Sequence, residues 1–178
     1  MDSAGSPLKE VDARHEAVWP QTFLGRDEVL SLSVGQEQSQ LATGTAPSGY
    51  RVLIVEDNPH IIEMYSYVLK KLAANELKGT TPLEVHFAAD GHAALALLTE
   101  SSFQLVMTDL YMPVMDGFQL IEKIRSEPSL KALPVVAISA GGQDAKDRAM
   151  KLGVTSYLKK PVRFADVMVT VKQLLRIT

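Results

Sequence analysis

RVLIVEDNPHIIEMYSYVLKKL, residues 51–72, reads as a β-strand that runs straight into an amphipathic helix. Arg51 to Val55 is apolar after its first residue, the pattern of a strand covered on both faces. Glu56 and Asp57 end it. Asn58 then stands where an N-cap belongs and Pro59 at the first helical position, followed by Ile61, Met64, Tyr65, Val68 and Leu72 at three-to-four spacing. The same unit recurs. Short β-type runs at Leu83 to Phe87, Gln104 to Thr108, Pro134 to Ser139 and Val154 to Leu158 alternate with helical patterns. Those span about Asp90 to Glu100, Asp116 to Glu127, Gln143 to Leu152 and Arg163 to Arg176, with Gly153 placed as a helix stop. Five β-then-α units joined by right-handed crossovers predict an α/β fold, a doubly wound five-stranded parallel sheet with helices on both faces. Sites in such sheets lie at the carboxyl ends of the strands.

Composition agrees with a folded chain and narrows its chemistry. Of 178 residues, 46% are hydrophobic and 22% charged, ordinary globular values, and the net charge of -3 lacks the basic footprint of phosphate-backbone binding. Nucleic acid is therefore not expected as a direct partner. With no cysteine, disulfides, thiolate metal sites and cysteine nucleophiles are excluded. There is no signal-peptide pattern in the first residues and no apolar run long enough for a membrane span, so no membrane insertion and a cytoplasmic location are expected.

The charge is uneven. Residues 1–49 carry three basic and seven acidic residues, against fifteen and fourteen in the remainder. This acidic segment is expected to be a flexible extension, with a linker over residues 36–49 and one apolar island, residues 18–34, containing Trp19, Phe23, Leu24, Val29 and Leu30. Residues 50–178 are expected to form the folded domain.

Polar groups cluster where the topology puts a site. The first strand ends in Glu56 and Asp57, the third in Asp109, the fourth in Ser139, and the fifth is followed by Lys160 and Pro161. Singly, an acidic residue after a strand is a helix cap or a loop residue. Three carboxylates converging in one crevice are different, because like charges held close raise one another's pKa unless a cation is supplied. A hard divalent ion suits an all-oxygen site, and with the metal and Lys160 drawing charge from phosphoryl oxygens and Ser139 donating to one, a carboxylate can act as nucleophile toward phosphorus.

Four stretches, VLIVEDN (52–58), LVMTDLYMPVMDGFQL (105–120), LPVVAISA (133–140) and GVTSYLKKP (153–161), together resemble the receiver domain of bacterial response regulators. The resemblance covers residues 50–178 and implies the flavodoxin-like strand order 2-1-3-4-5, the order found in a chemotaxis member of that family. It implies that Asp109 is the phosphoacceptor, supplied by a histidine kinase or a histidine phosphotransfer protein, in a signalling protein that is not an enzyme but assists its own phosphorylation and dephosphorylation. It makes Asp57 a direct magnesium (Mg2+) ligand, Glu56 a water-mediated one, and the Tyr111 carbonyl a further ligand. Ser139 becomes the switch hydroxyl, Tyr157 the aromatic that changes rotamer with it, and Lys160 the partner of the phosphoryl group. The Lys160–Pro161 bond is expected to be cis.

Neighbouring residues receive plainer readings. Lys159 is a solvated neighbour, Asp116 caps the following helix, Gly141 and Gly142 loosen the loop before the fourth helix, and the four histidines share no ligand spacing. Strand four ends in Ser where the family more often has Thr, Ser156 stands where many DNA-binding members have Asp, and residues 75–82 lengthen the first helix-to-strand connection. The state is therefore expected to be monomer or weak dimer. One helix follows Lys160, so output is expected through a downstream effector protein. Two alternatives stand beside the stand-alone receiver: a receiver-shaped scaffold that needs no phosphate, and a magnesium-dependent phosphohydrolase, which typically places a second Asp two residues after the nucleophile, here Tyr111.

Overall fold

The computed structural model describes residues 49–78 and 81–177. The expectation of a flexible extension over residues 1–49 falls, Gly49 apart, outside the described residues. Five parallel strands, β1 (Tyr50–Val55), β2 (Leu83–Ala88), β3 (Leu105–Asp109), β4 (Val135–Ser139) and β5 (Ser156–Lys159), form one sheet in the order β2-β1-β3-β4-β5. Five helices alternate with them: α1 (Pro59–Leu72), α2 (Gly91–Glu100), α3 (Gly117–Ser126), α4 (Gln143–Lys151) and α5 (Phe164–Leu175). The expected doubly wound architecture is present, with the strand order that the resemblance implied.

The three inner strands carry continuous apolar runs, Val52–Val55, Leu105–Met107 and Val135–Ile138, because both of their faces are covered. Leu53, Val55 and Val106 pack with α2, α3 and α4 through Leu98, Ile121, Ile124 and Ala149. Val52, Ile54, Leu105 and Met107 pack on the opposite side with α1 and α5 through Tyr65, Leu69, Val167 and Val171. Alternate strand residues thus serve two cores, and this two-sided burial is why β1, β3 and β4 show no polar alternation. The edge strands β2 and β5 are only partly covered, and both depart from the continuous apolar pattern.

Boundaries moved for identifiable reasons. β5 begins at Ser156, not Val154: Gly153 takes φ +91° to leave α4, Thr155 N–H donates to Val135 C=O, and the paired register starts only at Val136 opposite Ser156. Part of the connection expected over residues 75–82 is helical. α1 continues into a π-helical turn over Ala73–Leu77 that ends at Lys78 in the left-handed region, φ 46°. Leu77 is buried in the cluster that holds Leu175 and Ile177, and Glu76 pairs with Lys172 of α5 at 2.7 Å, so tertiary contacts hold the extra turn.

Helix starts follow local chemistry. Asn58 accepts a hydrogen bond from the His60 N–H at 3.0 Å. Asp116 accepts from the Gln119 N–H at 2.8 Å while Gln119 accepts in return from the Asp116 N–H at 3.2 Å, a complete capping box. Replacing Asp116 by Ala is expected to cost about 1 kcal/mol and to lower the thermal midpoint by roughly 3 °C, measurable by calorimetry. An unchanged midpoint would mean that the cap is dispensable.

Candidate functional site at the strand ends

β1 and β3 are neighbours, and their last residues bring two acids to the same end of the sheet. Glu56 continues the β1 ladder, its N–H donating to Ala88 C=O, and the residue is 2% exposed. Asp109 closes β3 and is 9% exposed. Lys160, anchored by its own N–H on the Ser139 carbonyl of β4, reaches back across the strand ends. Its ammonium lies 2.6 Å from Asp109 Oδ2 and 3.1 Å from Glu56 Oε2. The other oxygens are held by the backbone. Asp109 Oδ1 accepts from the N–H groups of Leu110 at 2.6 Å and Tyr111 at 3.2 Å, and Glu56 Oε1 accepts from the Asn58 N–H at 3.2 Å.

These contacts explain the electrostatics. Burial pushes the Glu56 carboxyl above its ordinary range, with Lys160 and the Asn58 N–H opposing and Asp109 adding to it. For Lys160, burial pulls downward but the hydrogen bonds and charges of Asp109 and Glu56 outweigh it, so its ammonium is held above the usual lysine value. A carboxyl whose pKa rises on folding weakens the folded state as pH climbs through the carboxylate range. Glu56→Gln is therefore expected to stabilise the domain at pH 7 by about 1 kcal/mol, with the gain vanishing below pH ~4.5, where glutamate is already protonated when unfolded. Thermal unfolding at both pH values checks this. A lower midpoint at pH 7 would show that the Glu56–Lys160 attraction outweighs the burial cost.

The remaining expected residues are distributed as follows. Asp57 follows β1 and is exposed. Ser139 ends β4, fully buried, and its Oγ accepts from the Gly141 N–H at 3.0 Å. Tyr157, on β5, donates its hydroxyl to the Gly141 carbonyl at 3.2 Å. The Tyr111 side chain is exposed, with its ring edge-on to Phe118 at 5.9 Å. The Lys160–Pro161 bond is cis, as expected. Direct contact thus unites Glu56, Asp109 and Lys160, and Gly141 links Ser139 with Tyr157.

Two participating groups were not read as part of the site from the sequence. Gly117 gives its N–H to Leu110 C=O, and a Cβ there would overlap the Asp109 carbonyl, so its bareness lets α3 start against the strand end. Gly141 bonds both hydroxyls, its N–H donating to Ser139 Oγ and its carbonyl accepting from Tyr157, although the sequence suggested only a loosened loop. The adjacency of glycine to the Asp116 cap was the available signal for the first; the second had none.

Among the described residues, no three His, Cys, Asp or Glu side chains already form a metal cage. Magnesium does not need one, since it takes one or two carboxylates and keeps several waters. The oxygen donors at these strand ends, Glu56, Asp57, Asp109 and the Tyr111 carbonyl, suit that ion. With Lys160, the three carboxylates leave two formal negative charges, which a divalent cation offsets.

The geometry agrees with comparisons to known proteins. The family model of the response regulator receiver domain matches residues 52–172. The chain is 31% identical over 137 residues to the two-component response regulator ARR11 of Arabidopsis thaliana, covering 75% of this chain but 24% of the plant protein. It therefore spans about a quarter of that relative's length. The chemotaxis response regulator CheY4 of Vibrio cholerae superposes with a TM-score of 0.62 at 28% identity, covering 71% of this chain and 98% of that one. The receiver domain of the sensor histidine kinase PA1611 from Pseudomonas aeruginosa, with a magnesium ion in its active-site cleft, superposes at 0.63 and 24% identity, covering 72% and 98%, and shows the shared fold. Among the described residues no helix is long and apolar enough to cross a membrane. With a matched model over most of the chain, the strand order 2-1-3-4-5, and an acid pair joined by a lysine at the strand ends, this chain belongs to the response regulator receiver family.

Proposed function

We propose that Asp109 accepts a phosphoryl group from a phosphohistidine of a histidine kinase or histidine phosphotransfer protein, and that the phosphorylated domain signals by binding a downstream effector. The observation that carries this reading is the state of Asp109. Its Oδ1 is fixed by two backbone N–H groups while Oδ2 lies 2.6 Å from the Lys160 ammonium. The carboxylate is thereby oriented, with a cation placed beside its second oxygen. A carboxylate oxygen attacks phosphorus, the bond from phosphorus to the histidine nitrogen breaks, and the imidazole keeps the electron pair and takes up a proton. The product is an acyl phosphate on Asp109.

The chain's own residues then have defined tasks. Lys160 moves its pairing from the carboxylate to the phosphoryl oxygens. Ser139 Oγ uses a lone pair to accept from Gly141, which leaves its own O–H free to donate to one of those oxygens. Asp57, Asp109 and the Tyr111 carbonyl, with Glu56 acting through water, would hold magnesium, which supplies positive charge to the phosphoryl oxygens. The ion in the cleft of the Pseudomonas receiver supports that assignment. When Ser139 turns inward, the Gly141 N–H loses its acceptor, and Tyr157, bonded to the carbonyl of the same residue, is free to change rotamer. The surface formed by α4, β5 and α5 thus reports the state of Asp109.

Incubation with magnesium and acetyl phosphate, followed by intact mass, tests the reading. Wild type is expected to gain one phosphoryl group and Asp109→Asn none. A wild type that stays unmodified overturns it and leaves a phosphate-independent scaffold; an Asp109→Asn variant modified equally overturns it by placing the phosphoryl group on another residue.

A further inference from the structure

The two edges of the sheet are finished differently. Natural edge strands are blunted by short length, lysine, proline, a bulge or a covering element. β5 carries two of these devices, a length of four residues and Lys159. β2, at the opposite edge, runs for six residues in unbroken register with β1, and neither lysine nor proline lies within it. Leu83 and Val85 pack on the α1 side of the sheet, and Phe87, two residues further along the same face, is 39% exposed. Glu84 and His86 project to the other face, where both are open to solvent. The ladder fixes which peptide groups stay unpaired. Tyr50 N–H donates to Pro82 C=O and Glu56 N–H to Ala88 C=O, so the even-numbered residues of β2 turn their peptide groups toward β1. The N–H and C=O groups of Leu83, Val85 and Phe87 therefore point out of the sheet. Among the described residues they have no hydrogen-bond partner.

We infer that β2 is a docking edge for a second copy of this chain, the two β2 strands pairing antiparallel about a two-fold axis at Val85. In an antiparallel pair, residues that exchange both peptide hydrogen bonds stand opposite one another, so outward-pointing residues must meet outward-pointing ones. Three registers centred on this strand satisfy that condition. One sets Glu84 against Glu84 and another sets His86 against His86, like against like. The third places Val85 on the axis, Leu83 opposite Phe87 and Glu84 opposite His86. In it every outward N–H and C=O finds a partner, the exposed Phe87 ring gains an apolar cross-strand neighbour, and each carboxylate meets an imidazole. Glu84 is ready for that contact: Arg51 holds its Oε2 at 2.8 Å, while among the described residues Oε1 accepts no hydrogen bond. His86 Nε2 lies 3.6 Å from Glu84 Oε2 of its own copy, too far for a hydrogen bond, and an imidazole carries an N–H donor in either protonation state. Such self-complementarity is what a two-fold interface requires. The edge is small beside the roughly 800 Å² per partner of a standard interface, so the pair is weak and concentration-dependent. It joins two copies at the edge remote from β5 and leaves the α4–β5–α5 surface uncovered. The reading of Asp109 plays no part in it.

Sedimentation of the full chain from about 1 μM to about 1 mM is expected to show a reversible monomer–dimer equilibrium. Glu84→Lys sets a lysine against His86 at two symmetric places and should weaken dimerisation roughly ten-fold or more. Adding His86→Glu restores opposite charges in the same register and should recover most of the lost affinity. Thermal midpoints of both variants check that the fold is kept. A cross-link tests the register separately. The chain has no cysteine, and in Val85→Cys the two thiols would sit on Cα atoms about 5.5 Å apart, inside the span of a disulfide. Under mild oxidation this variant should form a covalent dimer roughly ten-fold or more faster than Lys151→Cys, an exposed position on α4 that reports random collision. A chain that stays monomeric over the whole range overturns the inference and leaves β2 to a strand from a different protein. A dimer indifferent to Glu84→Lys, a charge exchange that restores nothing, or a Val85→Cys protein that cross-links no faster than Lys151→Cys overturns it as well and places the pairing at another surface.

Discussion

Gly117→Ala is expected to destabilise the domain by about 3 kcal/mol or more, a fall in thermal midpoint of roughly 10 °C, and to reduce phosphorylation of whatever remains folded. The added Cβ would overlap the Asp109 carbonyl oxygen and sit 2.8 Å from Leu110 Cα. Both are backbone atoms, so no rotamer change relieves the contact. β3 cannot retreat, because Asp109 is in register with Ile138 of β4 and β3 is fully buried. α3 cannot retreat without breaking the Gly117 N–H to Leu110 C=O bond at 3.1 Å. Whichever side yields, the Leu110 and Tyr111 N–H groups that hold Asp109 Oδ1 are displaced. Gly142→Ala is the control: a Cβ there meets nothing within 4 Å, and a shift within about 0.5 kcal/mol is expected. Denaturant or thermal unfolding of both variants decides the matter. A Gly117→Ala protein as stable as Gly142→Ala would show that the backbone accommodates the extra carbon after all.

That contact marks the boundary of what the sequence could reveal. The alternation of strands and helices was legible because β1, β3 and β4 are covered on both faces, which writes burial into the sequence as unbroken apolar runs. Asn58 and Asp116 were legible because a cap and the N–H it satisfies lie within three residues. The membership of Glu56, Asp109 and Lys160 in one crevice followed from topology, since strand ends of a doubly wound sheet converge. What those groups do to one another did not follow. Lys160 stands 51 residues from Asp109 and 104 from Glu56, and its division between them is a matter of distance in space. The π-helical turn escaped notice for a similar reason, since Glu76–Lys172 and the burial of Leu77 exist only once α5 has packed.

Lys160→Ala is expected to separate phosphorylation from its consequence more severely than any other change at the cleft. In the unmodified protein it leaves Glu56 and Asp109 with backbone donors alone, so stability at pH 7 should fall by about 2 kcal/mol, less than the 3–5 typical of broken buried pairs because Lys160 is partly solvated. The sign of the pH dependence is fixed by the direction of the shift. Lys160 is held above its ordinary 10.5, so its contribution is complete below that value and is lost as pH rises through the folded one. The deficit of the variant should therefore persist across neutral pH and shrink in acid, where the carboxyls take up protons. In the modified protein, magnitudes decide. Shifting a two-state equilibrium from 1:99 to 99:1 takes about 5.5 kcal/mol of differential affinity, whereas one charge-assisted hydrogen bond from Ser139 is worth about 1.5–3 kcal/mol. On the proposed function, Ser139→Ala should therefore weaken effector binding while permitting modification, and Lys160→Ala should weaken it further, because it removes a full positive charge where Ser139→Ala removes one hydrogen bond. The measurement is effector affinity for each variant at a known phosphorylated fraction, with Asp109→Asn as the unmodified reference. If both variants, fully phosphorylated, bind as wild type does, the α4–β5–α5 surface is not driven by these two side chains and the output face lies elsewhere on the domain.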